Sequence, residues 1–303
     1  MKSIFTIGTR GSQLALWQSN WVRDTLHQHN PTCKITLQTI KTKGDKILDV
    51  PLANVGGKGL FVKEIEEALL SNTIDLAVHS MKDMPADIPK GLCIYGVPKR
   101  ENPKDVLISR NNQMFEDLPT GATIGTSSLR RAAQLKYKRP DIQIMPLRGN
   151  VDTRLNKLHT EQLDAIVLAA AGVKRLGLDS HITQYLPLDL MLPAVGQGVL
   201  CIEMRQNDQE TKQLAEPLNH LETWQAVTAE RSFLKYLEGG CQVPIAAYAE
   251  IQNNTLSIKG LVASIDGSKL IKESLSGPPD QAKNIGVNLA KLLISKGAKA
   301  ILT

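Results

Sequence analysis

Short apolar runs that end in a polar turn and lead into a helix recur along the first two thirds of this chain. Residues 4–7 precede the polar turn 8–12, where Ser12 is predicted to cap a helix, and residues 123–125 precede the turn 126–128. Buried strands that alternate with helices are typical of α/β domains with a largely parallel sheet. Ligands bind beyond the carboxyl ends of the strands in such sheets, so the polar turns are the candidate functional segments.

The stretch from residue 74 to Pro85 contains the strongest candidate for a catalytic group. Residues 74–78 predict a short buried strand, and Pro85 prevents a regular continuation. Lys82 and Asp83 follow this strand, and we interpret Asp83 as the catalytic carboxylate. The alternative is a solvent-exposed aspartate that forms an ion pair with Lys82, which is common in surface loops.

Arginines fall repeatedly near strand ends and helix starts. Ser127 or Ser128 is predicted to cap the helix that carries Arg130 and Arg131 in its first turn, where cations oppose the helix dipole. One basic turn can simply be solvated, but the recurrence favours a site for several carboxylates or phosphates, which the planar guanidinium binds through paired hydrogen bonds. The arginines of this pattern are Arg10, Arg130, Arg131, Arg148, Arg154 and Arg175.

Two glycine-rich loops contribute a lysine and a cysteine. Lys58 lies within the segment 56–59, which otherwise consists of glycine, and Cys241 follows the glycine pair 239–240. A cysteine in such a loop is accessible and can carry a covalent group. The alternatives are a flexible linker around Lys58 and an incidental loop cysteine.

Composition narrows the classes of function. The chain of 303 residues has 36 basic and 30 acidic residues, and the net charge of +6 favours an anionic partner. Aromatic residues make up only 4% of the chain and the basic residues are dispersed, which argues against a nucleic-acid surface. The histidines and cysteines show no metal-binding spacing. No apolar stretch approaches transmembrane length and no signal peptide is recognised, so we expect a cytoplasmic protein without metal or membrane partner.

A short internal repeat indicates how the first two thirds are organised. The sequence IDLAV at 74–78 resembles LDAIV at 163–167, as expected for two copies of one α/β domain facing each other across a cleft. The polar break at 99–103 and the segment LPAVGQG at 192–198 are predicted to be crossings between these domains. The first domain is then completed by chain that returns after residue 198.

The last third has a different pattern. A helical pattern at 226–237 is followed by three strand-like runs at 245–251, 255–263 and 269–275, with turn residues between them. A final helical pattern occupies residues 285–293. This order predicts a small α+β domain with a three-stranded antiparallel sheet.

Taken together, the motifs resemble the porphobilinogen deaminase family over nearly the whole chain. The motifs are TRGSQLALWQ at 9–18, GGKGLFVKEIE at 56–66, DLAVHSMKDMP at 75–85, GTSSLRRAAQL at 125–135, LRGNVDTRL at 147–155, LAAAGVKRLG at 168–177, LPAVGQG at 192–198 and EGGCQVPIA at 238–246. They are long, specific and in the order of the family. Residues around 205–220 and 264–284 are generic.

The resemblance implies an enzyme with an unusual cofactor. In this family a dipyrromethane is bound to the loop cysteine through a thioether. Four porphobilinogen molecules are added in turn with loss of ammonia, and the linear tetrapyrrole hydroxymethylbilane is released. The resemblance also implies two periplasmic-binding-protein-like domains around a cleft, and a monomer that serves porphyrin and heme biosynthesis.

The family pattern can be carried onto individual residues of this chain. It implies that the cofactor is attached to Cys241 and contacts Lys82, Asp83, Ser128, Arg130 and Arg131, with Asp83 catalytic. It implies that the substrate carboxylates are bound by Arg10, Ser12, Arg148, Arg154 and Arg175, and that Lys58 closes over the site. The implied domains are 1–99 with 199–218, 100–198, and 219–303.

A different class of protein would share some of these features. A non-catalytic anion-binding protein with two α/β domains would use the arginines but would need neither Asp83 nor Cys241. The EGGCQVP loop counts against this alternative.

Overall fold

A computed structural model describes residues 2–46, 61–237 and 243–302 of the chain. The chain forms two compact units, the first from Met1–Glu101 and Val199–Trp224, the second from Asn102–Gly198 and Gln225–Thr303. Within the described ranges, no helix is both long enough and apolar enough to span a bilayer.

Thirteen strands and ten α-helices are assigned within the described ranges. The strands are β1 Ile4–Thr9, β2 Lys34–Thr39, β3 Leu76–Ser80, β4 Leu92–Gly96, β5 Asp105–Ser109, β6 Thr123–Gly125, β7 Gln143–Met145, β8 Ala165–Ala169, β9 Gln184–Tyr185, β10 Leu200–Arg205, β11 Ile245–Gln252, β12 Thr255–Ala263 and β13 Leu270–Gly277. The helices are α1 Gln13–His29, α2 Lys43–Lys46, α3 Lys63–Leu70, α4 Leu129–Lys138, α5 Val151–Thr160, α6 Ala170–Arg175, α7 Gln209–Ala215, α8 Leu221–Tyr236, α9 Ala282–Ser295 and α10 Ala298–Leu302.

The first unit is built on a five-stranded sheet with one reversed strand. Its order is β2-β1-β3-β10-β4, in which β1 is parallel to β2 and β3 whereas β10 is antiparallel to β3 and β4. Apolar side chains of β1, β3 and β10 pack with α1 and α7 on one core, which includes the fully buried Ile7, Leu26 and Ile202. Helix α3 contributes Ile65 and Leu69 to a second core.

The second unit contains a sheet of the same topology. Its order is β7-β6-β8-β5-β9, with β6 parallel to β7 and β8 and with β5 reversed. In both sheets the earliest of three parallel strands, β1 or β6, lies between the other two, and the reversed strand, β10 or β5, separates the third parallel strand from the edge strand, β4 or β9. The reversed strand comes last along the chain in the first sheet and first in the second. The prediction of two copies of one α/β architecture is confirmed by this strand order.

The two sheets also share atomic detail at their central strands. The amide N–H of Thr6 donates to the Asp75 carboxylate at 2.9 Å, and that of Thr123 donates to the Asp164 carboxylate at 2.8 Å. A Cβ at Gly8 would meet the Ile74 side chain, and one at Gly125 would meet that of Leu163. The five-residue repeat seen in the sequence therefore marks equivalent positions in the two sheets.

The last part of the second unit is a three-stranded antiparallel sheet in the order β11-β12-β13, covered by α8, α9 and α10. The turn between β11 and β12 holds Asn253 and Asn254 at φ of 50° and 56°, the left-handed values that a tight hairpin requires. Ala133 and Leu192 join Ala246, Leu261 and Ala263 of this sheet in one core, so it packs directly on α4. The predicted α/β class with an added three-stranded sheet is confirmed.

Three local features differ from what apolar spacing predicts. The spacing predicts that Leu14, Trp17, Trp21 and Val22 share one face of α1, but the side chains of Trp17 and Trp21 are each 39% exposed. The buried face instead includes Gln18, whose side-chain amide donates to the Ser80 hydroxyl at 3.2 Å at the end of β3. The spacing of Phe61, Ile65, Ala68 and Leu69 predicts a helix that includes Phe61, but α3 begins at Lys63. Strands β5 and β9 lie in segments for which the sequence analysis predicts no strand.

Candidate functional site

The turn after β3 presents Lys82 and Asp83. It is a single 3₁₀ turn, Met81–Asp83, whose Met81 side chain is 2% exposed and whose Met81 N–H donates to the Val199 carbonyl at 2.9 Å. The side chain of Asp83 is exposed, and it makes no hydrogen bond or ion pair to any other residue that the structure describes. The buried Met81 side chain therefore anchors this turn to the core, while the Asp83 carboxylate stays accessible to a ligand.

Arg10 and Ser12 lie at the same edge of the first sheet. Strands β1 and β3 are parallel neighbours, so the segments that follow Thr9 and Ser80 leave the sheet on one side. Ser12 caps α1 as predicted, because its hydroxyl accepts from the Ala15 N–H at 3.3 Å. The Arg10 guanidinium lies over the Phe61 ring, 4.3 Å from its centroid.

In the second unit, Ser128 is the residue that caps α4. Its hydroxyl accepts from the Arg131 N–H at 3.4 Å, whereas the Ser127 hydroxyl donates to the Leu147 carbonyl at 2.9 Å. The serine cap, which the sequence left open between two positions, is thereby assigned. Strands β6, β7 and β8 run parallel, so the turn before α4 and the turn before α5 leave this sheet at one edge.

Arg130 and Arg131 are buried against an acidic residue. Asp105 is 0% exposed and accepts from Arg130 Nη1 at 2.8 Å and from Arg131 Nη2 at 2.7 Å. Burial alone would raise the pKa of Asp105, but the guanidiniums of Arg130 and Arg131 lower it to about 2. Gln197 completes the cluster, since its side-chain amide donates to Asp105 at 3.1 Å and to the Pro103 carbonyl at 2.7 Å.

This cluster carries more positive than negative charge. Two guanidiniums, each with a side chain no more than 7% exposed, share a single carboxylate. Burial is the main reason why the pKa of Arg130 is lowered, Asp105 opposes that effect, and Arg131 adds to it. An anion at this edge of the sheet would therefore be stabilised electrostatically.

The other predicted arginines of the second unit, Arg148, Arg154 and Arg175, differ in their hydrogen bonding. Arg148 follows β7, and its Nη2 atom is buried without a hydrogen-bond partner among the described residues. Arg154 donates from Nε to the Gly149 carbonyl at 2.8 Å, and Arg175 donates from Nη2 to the Gly198 carbonyl at 2.9 Å. The unsatisfied Arg148 donor is the clearest sign of a missing acceptor, because buried donors are nearly always paired.

Two predicted site residues are not described by the structure, and two residues of the site were not predicted. Lys58 and Cys241 lie outside the described residues. Asp105 and Gln197 are missed by the sequence analysis, although an aspartate that opens an otherwise apolar strand signals a buried counter-ion. Among the described residues, no group of three or more histidine, cysteine or acidic side chains is arranged to hold a metal ion.

Comparison of the sequence with known proteins gives matches in one family. Residues 5–213 match the dipyrromethane cofactor-binding domain of porphobilinogen deaminase, and residues 224–295 match its C-terminal domain. The porphobilinogen deaminase of Syntrophotalea carbinolica is 55% identical over 300 residues, which cover 99% of this chain and 95% of that protein. The porphobilinogen deaminase of a Geobacter species (strain M21) is 56% identical over 296 residues, which cover 98% of this chain and 93% of the relative.

Solved structures show a more distant likeness. The probable amino-acid ABC transporter extracellular-binding protein ytmK from Bacillus subtilis has 15% identity and a TM-score of 0.45, over 72% of this chain and 90% of that chain. The periplasmic aliphatic sulphonate binding protein SsuA from Escherichia coli has 15% identity and a TM-score of 0.42, over 78% of this chain and 71% of that chain.

Proposed function

This chain belongs to the porphobilinogen deaminase family, and we propose how its residues carry out the reaction of that family. The enzyme joins four porphobilinogen molecules head to tail with loss of ammonia and releases the linear tetrapyrrole hydroxymethylbilane, a step in porphyrin and heme biosynthesis. A non-catalytic anion-binding protein is not favoured, because the match to an enzyme family covers almost the entire chain.

The cofactor of this family is a dipyrromethane, and the described residues fit its acidic side chains. The buried, unsatisfied Nη2 of Arg148 and the excess positive charge of Arg130 and Arg131 both call for an anionic partner. When bound, the dipyrromethane supplies the free pyrrole position on which the chain is built. We assign its attachment to the Cys241 thiol and its contacts to Lys82, Asp83, Ser128, Arg130 and Arg131.

Asp83 is the catalytic residue of this proposal. Departure of ammonia from the aminomethyl group of porphobilinogen leaves a cation conjugated with the pyrrole nitrogen. A carboxylate close to the pyrrole N–H stabilises that cation and can take up or return a proton. The observation that carries the assignment is the exposed Asp83 side chain, held at the end of a buried strand and not engaged by any described residue.

The other basic residues are assigned to the substrate. Each porphobilinogen has an acetate and a propionate, so a lengthening product needs several cations along its path. Guanidinium groups suit this task because they bind carboxylates through two parallel hydrogen bonds. The residues assigned to substrate carboxylates are Arg10, Ser12, Arg148, Arg154, Arg175 and Lys58.

The proposal extends to organisation and location. We assign the three functional domains to 1–99 with 199–218, 100–198, and 219–303. We further propose a monomer in the cytoplasm that acts on porphobilinogen without nucleic acid or membrane partners. The free thiols of Cys33 and Cys93 fit a reducing compartment. Light scattering of the purified protein and fractionation of the producing cells test these two points.

The reaction is tested with purified protein and porphobilinogen, and the product is detected through its cyclisation to uroporphyrinogen. Asp83→Asn should lower turnover at least 100-fold, the range expected when a positioned acid–base group is removed. Asp87→Asn is the matched control, since Asp87 is another exposed aspartate of the same loop. Wild-type turnover in Asp83→Asn would exclude the assignment.

Intact mass tests the cofactor separately from turnover. The wild-type protein should be heavier than its 33.2 kDa chain by two linked pyrroles, and Cys241→Ser should lack this increment. A wild-type protein that has only the mass of its chain would contradict the covalent attachment.

A further inference from the structure

Three titratable side chains are buried together in the first unit, and none has a role in the reaction as proposed above. His79 Nε2 and Glu203 Oε2 lie 3.0 Å apart, with side chains that are 4% and 0% exposed. Glu66 on α3 is 8% exposed and experiences the charges of both. His79 lies in β3, four residues before Asp83, and Glu203 lies in the neighbouring strand β10.

The hydrogen bonds of this cluster are incomplete. Oε1 of Glu203 and Oε1 of Glu66 are both buried and have no partner among the described residues. Two ionised carboxylates buried here would repel each other and would each keep an unpaired oxygen, which is costly in a protein interior. A proton on one of the two carboxyls removes that cost.

Glu66 is the carboxyl that holds this proton. Burial is the largest cause that raises the pKa of Glu66, to about 7, and the charges of Glu203 and Glu67 add to it whereas His79 opposes it. Of the strands packed against α3, β1 has no titratable side chain, β3 contributes His79 and β4 contributes Cys93 and Tyr95. Strand β10 contributes Cys201, Glu203 and Arg205. The Arg205 guanidinium donates to the Leu69 carbonyl of α3 at 3.0 Å and is engaged by the carboxylates of Asp75 and Asp208. On β4, burial raises the pKa of the Cys93 thiol.

We propose, on the basis of the function proposed above, that protonated Glu66 keeps a second carboxylate charge out of this cluster and that the cluster in this state fixes the end of β3 and the turn that carries Lys82 and Asp83. Glu66 is thus a positioning residue for the reaction and does not contact the substrate. Ionisation of Glu66 places a second negative charge beside Glu203 and separates α3 from the two strands beneath it.

The connection from the cluster to the catalytic turn is short. His79 pairs with Cys201 and Ser80 pairs with Leu200 across the antiparallel ladder of β3 and β10. The next hydrogen bond of the same ladder joins the Met81 N–H to the Val199 carbonyl at 2.9 Å. A displacement of β3 against β10 at His79 therefore reaches the turn within four residues.

The test compares Glu66→Gln, which is neutral at every pH and has the same shape, with wild type. Turnover of wild type should fall on the alkaline side of its optimum, and this fall should move up by at least one pH unit in Glu66→Gln. KM for porphobilinogen should change less than twofold, because no binding residue is altered. Glu222→Gln, a change of an exposed glutamate of the same unit that does not contribute to the pKa of Glu66, should keep the wild-type profile.

A second measurement does not depend on turnover. The difference in thermal stability between Glu66→Gln and wild type should grow in favour of the variant as the pH rises from about 4.5 to about 7 and should level off above about pH 8. Between these values the folded wild type retains a proton on Glu66 that the unfolded chain has already lost, so each pH unit costs wild type stability that the variant does not lose. Glu66→Met, which also removes the titrating group, serves the same comparison if the glutamine variant does not fold. An alkaline limb that is identical in Glu66→Gln and wild type, or a constant difference in stability, would overturn the inference.

The two proposals fail in different ways. A wild-type protein that forms no hydroxymethylbilane at any pH contradicts the proposed function, and the stability comparison still decides whether Glu66 holds a proton. Normal turnover combined with an unchanged alkaline limb contradicts the positioning role alone.

Discussion

Replacement of Asp105 by asparagine should destabilise the second unit strongly. Asp105 is the shared partner of Arg130 and Arg131, and all three side chains are at most 7% exposed. The substitution keeps the shape but leaves two buried guanidiniums without a counter-charge. It also turns an amide N–H₂ group towards groups that can only donate.

The size of the effect follows from the loss of one partner of a buried ion pair. The two guanidiniums overcome the effect of burial and lower the pKa of Asp105 from 3.8 to about 2, so folding favours its ionised form. Loss of one partner from a buried ion pair typically costs about 3–5 kcal/mol. We therefore expect Asp105→Asn to lose about 3 kcal/mol, or about 6–12 °C in unfolding temperature for a unit of this size.

The pH dependence gives the sign of the effect. A carboxyl whose pKa is lowered by folding stabilises the folded state above its unfolded pKa, and this contribution is lost as the pH falls through the folded value. The difference between wild type and Asp105→Asn should thus be constant from pH 7 to about pH 5 and should narrow as the pH falls from about 4 towards about 2.

Urea unfolding followed by circular dichroism measures these differences. Asp141→Asn is the control, because Asp141 bonds Arg139 at the surface of the same unit and should matter little for stability. A loss below about 1 kcal/mol in Asp105→Asn, or a difference that stays the same at pH 7 and pH 3, would refute the view that Asp105 is the electrostatic centre of this cluster.

Two further substitutions test how other parts of the fold are held. Glu230 is 0% exposed and accepts from the Gly196 N–H at 2.7 Å and the Ala249 N–H at 2.8 Å, so Glu230→Gln should cost about 1.5–3 kcal/mol in urea unfolding. A neutral result would show that the charge is not needed at the junction of residue 196 with β11. The Asp208 carboxylate caps α7 by accepting from the Thr211 N–H at 3.0 Å. Asp208→Ala removes this cap and should lower the free energy of unfolding by about 1 kcal/mol in the same assay. Asp208→Asn should recover most of this loss, because asparagine also caps helices.

The architecture could be predicted from the sequence because it depends on apolar periodicity and turn chemistry. The runs at 245–251, 255–263 and 269–275 become strands within two residues of their predicted ends, and the Asn253–Asn254 turn has the backbone expected of it. Such features are local, so a single sequence reports them well. The strand Asp105–Ser109 was missed because its pairing partners lie far away in sequence.

The exposed and the buried parts of the candidate site differ in how far the sequence reveals them. Residues that come just after strands, such as Asp83 and Arg148, can be predicted as site residues from their place in the strand-to-helix pattern. The acidic partner of Arg130 and Arg131 does not, because Asp105 is about 25 positions away and its role depends on burial in the folded protein. The proximity of Glu66 and Glu203 cannot be predicted from the sequence either, because it arises from tertiary packing alone.

The internal repeat is more informative than five matching residues suggest. The tetrapeptide TIGT occurs at 6–9, in β1, and again at 123–126, in β6 and the residue that follows it. When Asp75 and Asp164 are placed at equivalent positions, β3 and β8 end together at Ser80 and Ala169.

This alignment places Ala171 and Gly172 where the first unit has Lys82 and Asp83. The second unit thus keeps the scaffold, including the Asp–Thr contact at the start of its central strand, but has no carboxylate after that strand. Its cations lie instead at the starts of two helices: Arg130 and Arg131 in the first turn of α4, Arg148 in the turn before α5, and Arg154 within α5. Two copies of one sheet therefore carry different charges beyond their strands: an acidic turn after β3 in the first unit, and basic residues at the starts of α4 and α5 in the second.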